Sequence, residues 1–202
     1  MRGFKRDTGH PVRKQVESLL RASADGILPI VRAGDPVLRE RTEPYHGQLG
    51  DLLDAFLDAM RRTMLDAPGV GLAANQVGVA LQIAVIWDPG GPKNDPRERP
   101  ALPHRTIINP AYEHVSSPDT GELEVRSFHE GCLSVPGYQA EVARMRAVRL
   151  RCLDEAGAAI DEVLVGWPAR IVQHETDHVG GGLYLDKADL RSLATNEWLA
   201  SH

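Results

Sequence analysis

The chain has 202 residues, 42% of them hydrophobic and 25% charged, which suffices for one buried core and excludes a chain disordered by composition. A net charge of -5 with both signs interspersed excludes a general or sequence-specific nucleic-acid surface, leaving room only for a local basic patch, and no apolar run reaches the length of a membrane span. Two cysteines, Cys132 and Cys152, are too few for a disulfide framework and point to a reducing compartment.

Residues 1–26 read as a basic arm, with Arg2, Lys5, Arg6, Arg13, Lys14 and Arg21. A secretory leader needs an apolar middle segment, which is missing, and an organelle transit peptide is poor in acids, whereas Asp7, Glu17 and Asp25 interrupt this one. The expectation is a cytoplasmic protein. Within the arm, Pro11 in a first turn and Val12, Val16, Leu19 and Leu20 on one stripe predict an amphipathic helix over residues 11–24, ended by Asp25-Gly26. The rest, residues 27–202, reads as a single domain. Ile27 to Arg32 is extended and leads into Gly34-Asp35-Pro36.

From Leu49 to Leu65, Leu52, Leu53, Phe56, Leu57, Met60 and Met64 recur at helical spacing between acids and arginines and predict a core helix, stopped by Pro68-Gly69. The run Gly69-Val70-Gly71-Leu72-Ala73-Ala74-Asn75-Gln76-Val77-Gly78 follows, and Gln76 is the polar group singled out in it. It lacks the Lys-Ser/Thr of a phosphate-binding loop, so its glycines mark close backbone approach to another group. Leu81 to Trp87 is apolar throughout and of strand length, and the segment from Asp88 to Pro103, with five prolines and two glycines, is an irregular loop.

Arg105–Asn109, Ala111–Ser117 and Glu122–Phe128 read as strands, the last two as a hairpin through Ser117-Pro118-Asp119-Thr120-Gly121. Val142–Leu153 and Ala158–Val165 read as a second hairpin around Asp154-Glu155-Ala156-Gly157. Gly166-Trp167-Pro168 then opens a helix that Gly180-Gly181-Gly182 closes, and Lys187 to Leu199 reads as a last helix packing through Leu190, Leu193 and Leu199. The fold class expected is α+β: mixed, mainly antiparallel strands around a central helix, with an N-terminal and a C-terminal helix.

That central helix carries Gln173-His174-Glu175-Thr176-Asp177-His178. Residues i and i+4 share a helix face, so His174 and His178 can reach one metal ion while Glu175, turned aside, can act as a base without ligating. A third ligand has two candidates. Glu197 lies about a helix length beyond His178, a placement similar to that of the glutamate ligand in thermolysin-like metallopeptidases, and Cys132 sits in the constrained segment Glu130-Gly131-Cys132-Leu133-Ser134-Val135-Pro136-Gly137. Cys152, embedded in a strand, reads as a buried small hydrophobe. Asp177 and Glu130 read as orienting or loop-holding acids, with Arg144 and Arg170 as cations whose partners are open.

Gly69 to Gln76, Glu130 to Ser134 and Gln173 to His178 resemble, in order, the three motifs of the peptide deformylases, over about residues 28–187. The resemblance implies metal ligands Cys132, His174 and His178 and one divalent ion, Fe2+ in the cell, with Zn2+, Ni2+ or Co2+ also accepted. It implies that water on the ion attacks a formyl carbon with Glu175 as general base and acid, and that the Gln76 amide and the Leu133 backbone N–H receive the developing oxyanion. The implied activity removes formyl from N-formylmethionine of nascent polypeptides and releases formate, with transient ribosome contact. Gly69 and Gly71 would lie along the substrate backbone, and Val70, Leu133, Phe128, Trp167 and Ile171 would hold the methionine. Val179-Gly180-Gly181-Gly182 departs from the family, which usually carries a leucine and a bulkier residue there, and that puts packing at the helix end in question.

Overall fold

A computed structural model describes Phe4 and residues 9–23 and 25–201. Arg2, Lys5, Arg6 and Asp7, read above as part of the arm, lie outside the described residues. The arm helix is α1 (Pro11–Ala22), where the side chain of His10 accepts the Val12 N–H at the cap and Val12 and Val16 are buried. It lies on α2 (Leu53–Asp66), whose Phe56, Leu57, Met60 and Met64 face inward at helical spacing.

Two antiparallel sheets complete the frame. The first has the order β1 (Gly71–Ala73), β2 (Ile83–Asp88), β3 (Leu102–His114), β6 (Ala147–Leu153), β7 (Ala159–Val165), and the second the order β4 (Val125–Cys132), β5 (Val135–Met145), β8 (Ala188–Thr195). Ile83 and Val85 of β2 join the core beneath α1 and α2, and Ala84 and Ile86 join a second core under α3 (Trp167–Val179). Both faces of the strand are therefore covered, which is why its sequence is apolar throughout and does not alternate. Helix α3 packs on strands of the first sheet and on β5 of the second, so residues on its two sides face different strands.

Four expectations are corrected. Residues 105–109 and 111–117 are not two strands: β3 runs as one, with a register shift between Ile108 and Ala111 where Asn109 takes φ 53° and Pro110 supplies no donor. Ala111–Ser117 and Glu122–Phe128 do not pair as a hairpin. The turn between them forms, with the Gly121 N–H on the Ser117 carbonyl at 2.8 Å, but β3 pairs with β2 and β6 while β4 pairs with β5. Val142–Leu153 is divided at Arg146, where the chain leaves β5 for β6 and so passes from one sheet to the other. The hairpin of β6 and β7 is as expected.

The fourth concerns Lys187–Leu199. Ala188–Thr195 is β8, paired with β5 through Tyr138–Thr195 and Val142–Ala188, and only a short helix, α4 (Asn196–Ser201), follows. Leu190 and Leu193 are 60% and 44% exposed, so the stripe that suggested a buried helix face is not buried. Pairing with β5 outweighs local helix preference.

The departure at the end of α3 has a physical account. Val179 is buried in the second core, and at Gly181, φ 85°, a Cβ would come within 2.8 Å of the Arg39 carbonyl oxygen. The chain from Arg39 to Thr42 lies directly on this turn, with the Thr42 N–H on the Val179 carbonyl at 3.1 Å.

Candidate metal centre

Helix α3 sets its imidazoles one turn apart, and β4 ends at the thiol they meet. The Cys132 Sγ lies 3.3 Å from His178 Nε2, which lies 3.1 Å from His174 Nε2. Ligand atoms of these residues all fall within 4.8 Å of one another. A tetrahedral ion with bonds of about 2.1–2.3 Å holds its ligands about 3.4–3.8 Å apart, so the donor set fits such an ion with a slight opening. Glu197 is exposed on α4 and does not belong to the group.

The surroundings fix the donors. Glu130 Oε2 lies 3.0 Å from His174 Nδ1, which turns the Nε2 lone pair toward Cys132. Glu130 is held in turn by Arg144, at 2.6 and 2.9 Å, and by Arg170 at 2.6 Å. Arg144 also reaches Asp177 at 2.8 Å, and Asp177 takes Lys187 at 2.7 Å. Burial alone would push the Glu130 carboxyl up, but its hydrogen bonds with His174 and Arg144 outweigh that and hold it well below the carboxylate range. Burial likewise works against charge on His174, yet the thiol and Glu130 raise it to about 10, while burial holds His178 far below its ordinary value.

Glu175 stands apart from the ligating face. It is 3% exposed, its Oε2 has no hydrogen-bond partner among the described residues, and burial pushes its carboxyl up to about 7. The carboxyl fits only because residue 71 is glycine: a Cβ there would lie 2.1 Å from Glu175 Oε1. Gly69 is constrained similarly, since its Cβ would meet the Leu133 side chain at 2.8 Å. The Gln76 side-chain Oε1 accepts the Ala73 N–H at 2.9 Å, which aims the side-chain Nε2 at Cys132 Sγ, 3.4 Å away, and Ser134 Oγ, 3.3 Å away.

These groups border one cleft of about 540 Å³. Gln76, Cys132, Leu133, His174 and Glu175 line it, as do Gly69, Val70, Gly71, Trp167 and Ile171. Phe128 does not line it; its ring packs under the Arg170 guanidinium at 5.1 Å. Sequence reasoning passed over Asn75, which is fully buried and donates to the His178 carbonyl at 2.6 Å, tying the Gly-rich segment to α3. Its signal was a second amide beside Gln76 among small residues. The pairing of Glu130 with His174 had no sequence signal, because the partners lie 44 residues apart.

An α+β frame with a Cys donor at a strand end facing two His donors and a buried acid on one H-E-x-x-H helix defines the class of metal-dependent hydrolases. The family model described as polypeptide deformylase matches residues 27–193. Peptide deformylase 3 of Streptomyces avermitilis is 56% identical over 96% of this chain and 85% of its own length. A crystal structure of a peptide deformylase from Synechococcus elongatus in complex with actinonin superposes with a TM-score of 0.67 at 34% identity, over 81% of this chain and 80% of that one. A Met-Ala-Ser-bound crystal structure of class I type b peptide deformylase from Acinetobacter baumannii superposes with a TM-score of 0.69 at 32% identity, over 80% and 98%. The chain belongs to the polypeptide deformylase family.

Proposed function

We propose that this protein removes the formyl group from N-formylmethionyl nascent peptides and releases formate. The observation that carries the reading is the convergence of Cys132, His174 and His178 beside the buried Glu175 carboxyl in an open cleft. Cys132, His174 and His178 would hold one divalent ion, which, when bound, supplies the Lewis acidity that makes water nucleophilic near neutral pH. Thiolate and imidazole donors suit Fe2+, our assignment for the cell, and accept Zn2+, Ni2+ or Co2+.

The chain's own groups do the rest. The Glu175 carboxyl takes the proton of the attacking water and delivers it to the departing amine nitrogen; burial sets its affinity for that proton near neutrality. As the carbonyl oxygen gains charge, the Gln76 amide, already aimed at Cys132, and the Leu133 backbone N–H donate to it. Gly69 and Gly71 leave the wall bare enough for an extended peptide, while Val70, Leu133, Trp167 and Ile171 receive the methionine side chain. The Met-Ala-Ser bound to the Acinetobacter baumannii relative supports a peptide of this kind. A transient stop at the ribosome in the cytoplasm follows from a nascent-chain substrate. Among the described residues no helix is long and apolar enough to cross a membrane.

Formate release from formyl-Met-Ala-Ser, with acetyl-Met-Ala-Ser alongside, tests the reading. Turnover of the formyl peptide and none of the acetyl peptide is expected. Equal rates, or none on either by metal-loaded protein, would overturn it.

A further inference from the structure

The cleft has a charge pattern opposite to that of the whole chain, whose net charge is -5. Two acids line it, Glu130 and Glu175, and both are buried, 5% and 3% exposed. Glu130 is committed to His174, Arg144 and Arg170, and Glu175 sits against Gly71. The titratable side chains of the lining that solvent reaches include Arg32, Arg97 and His129, all basic. The far rim, at Tyr138, Gln139 and Asn196, carries no acid or basic side chain, and Gln139 and Asn196 bond each other at 3.1 Å.

The two arginines differ. Arg97 is bonded through Nε and Nη2 to Asp95 at 2.6–3.1 Å, and its guanidinium lies 5.1 Å over the Trp167 ring, so its charge is largely balanced. Arg32 is exposed and donates to a neutral group, the Leu133 carbonyl, at 2.5 Å. It enters none of the ion pairs among the described residues. Leu133 follows Cys132 directly and its side chain lies against Gly69, so Arg32 stands on the wall next to the metal cluster. An extended peptide advances about 3.3 Å per residue. A peptide with its formyl group at the cluster that follows the Leu133 wall carries the side chains past the methionine toward the Arg32 end of it.

We propose that the cleft favours formylated peptides with an acidic residue just downstream of the methionine, and that Arg32 is the specificity-determining residue. The inference rests on the deformylase reading. A carboxylate there gains an unbalanced guanidinium, whereas a lysine meets only like charge, because among the described residues no accessible acid lines the cleft.

The test measures kcat/KM on C-terminally amidated formyl-Met-Glu-Ala and formyl-Met-Ala-Glu with their Gln and Lys counterparts, the amide removing the terminal carboxylate as a source of binding. Glu over Lys by about fivefold or more is expected at one of the two positions. The preference shrinks at about 0.5 M salt, where exposed charges are screened. Arg32→Gln brings the Glu-to-Lys ratio to within about twofold, and Arg32→Lys retains most of it. Flat rates, a Lys preference, or a Glu preference that survives Arg32→Gln would overturn the inference while leaving the deformylase reading standing. No formate from any of the peptides would overturn both. The salt dependence of the parent reads the proposal even where a variant folds poorly.

Discussion

Gly71 has no side chain because the Glu175 carboxyl occupies the space that one would need, 2.1 Å from the position of a Cβ. Gly71→Ala must therefore push the carboxyl aside, and a displacement of about 1 Å of a reacting group costs about 100-fold in turnover. We expect kcat to fall by that order with metal content and fold unchanged; parent-like kcat would show that the carboxyl need not sit there. Glu130 acts one residue shell further out. Glu130→Gln keeps the shape but leaves Arg170 without its carboxylate, Arg144 with Asp177 alone and His174 without its orienting charge. Metal affinity should drop about 10–100-fold in competition with a chelator, and removing one partner of a buried ion pair costs about 3–5 kcal/mol in urea unfolding. Unchanged metal retention would mean that Glu130 only holds the loop. Helix spacing alone put the imidazoles and Glu175 beside one another, while the residues left Cys132 and Glu197 both open as the third donor and only the resemblance to three ordered family motifs chose the thiol. Sequence could not pair Glu130 with His174 or Arg144, since a contact between distant residues depends on the register of β4 and β5, which no local pattern encodes.

Elements defined by what they bury were the legible ones. Helix α2 and strand β2 follow from periodicity and a continuous apolar run, as both cores require, and helix α3 from its bounding proline and glycines and the four-residue spacing of its histidines. Strand β8 was misread because its leucines do not report burial. Leu190 is 60% exposed, so Leu190→Lys should change stability by less than about 0.5 kcal/mol in urea unfolding. A loss of about 2 kcal/mol or more, as from a buried leucine, would restore the packed helix expected from sequence. The break read at Pro110 and the continuity read through Arg146 failed for a related reason. One is a bulge, where Asn109 turns to φ 53° and pairing resumes beyond it, and the other a change of sheet, and in both the pairing partners change within a run of strand-like sequence.

At the scale of the molecule, helix α3 joins the two sheets, and the candidate metal centre lies where it meets the end of β4. Its inner side closes the second core through Ile171, Val172 and Val179, while His174 and Glu175 open on the cleft. A Cys-His-His centre with a non-ligating acid makes the central claim separable into metal binding and turnover. The direct measurement determines bound metal and formate release together, on anaerobically prepared parent, Glu175→Ala and Cys132→Ser. The account predicts turnover in the parent alone, with metal retained in Glu175→Ala and lost in Cys132→Ser. A Cys132→Ser variant that keeps its metal, or a metal-loaded parent that releases no formate, would contradict it.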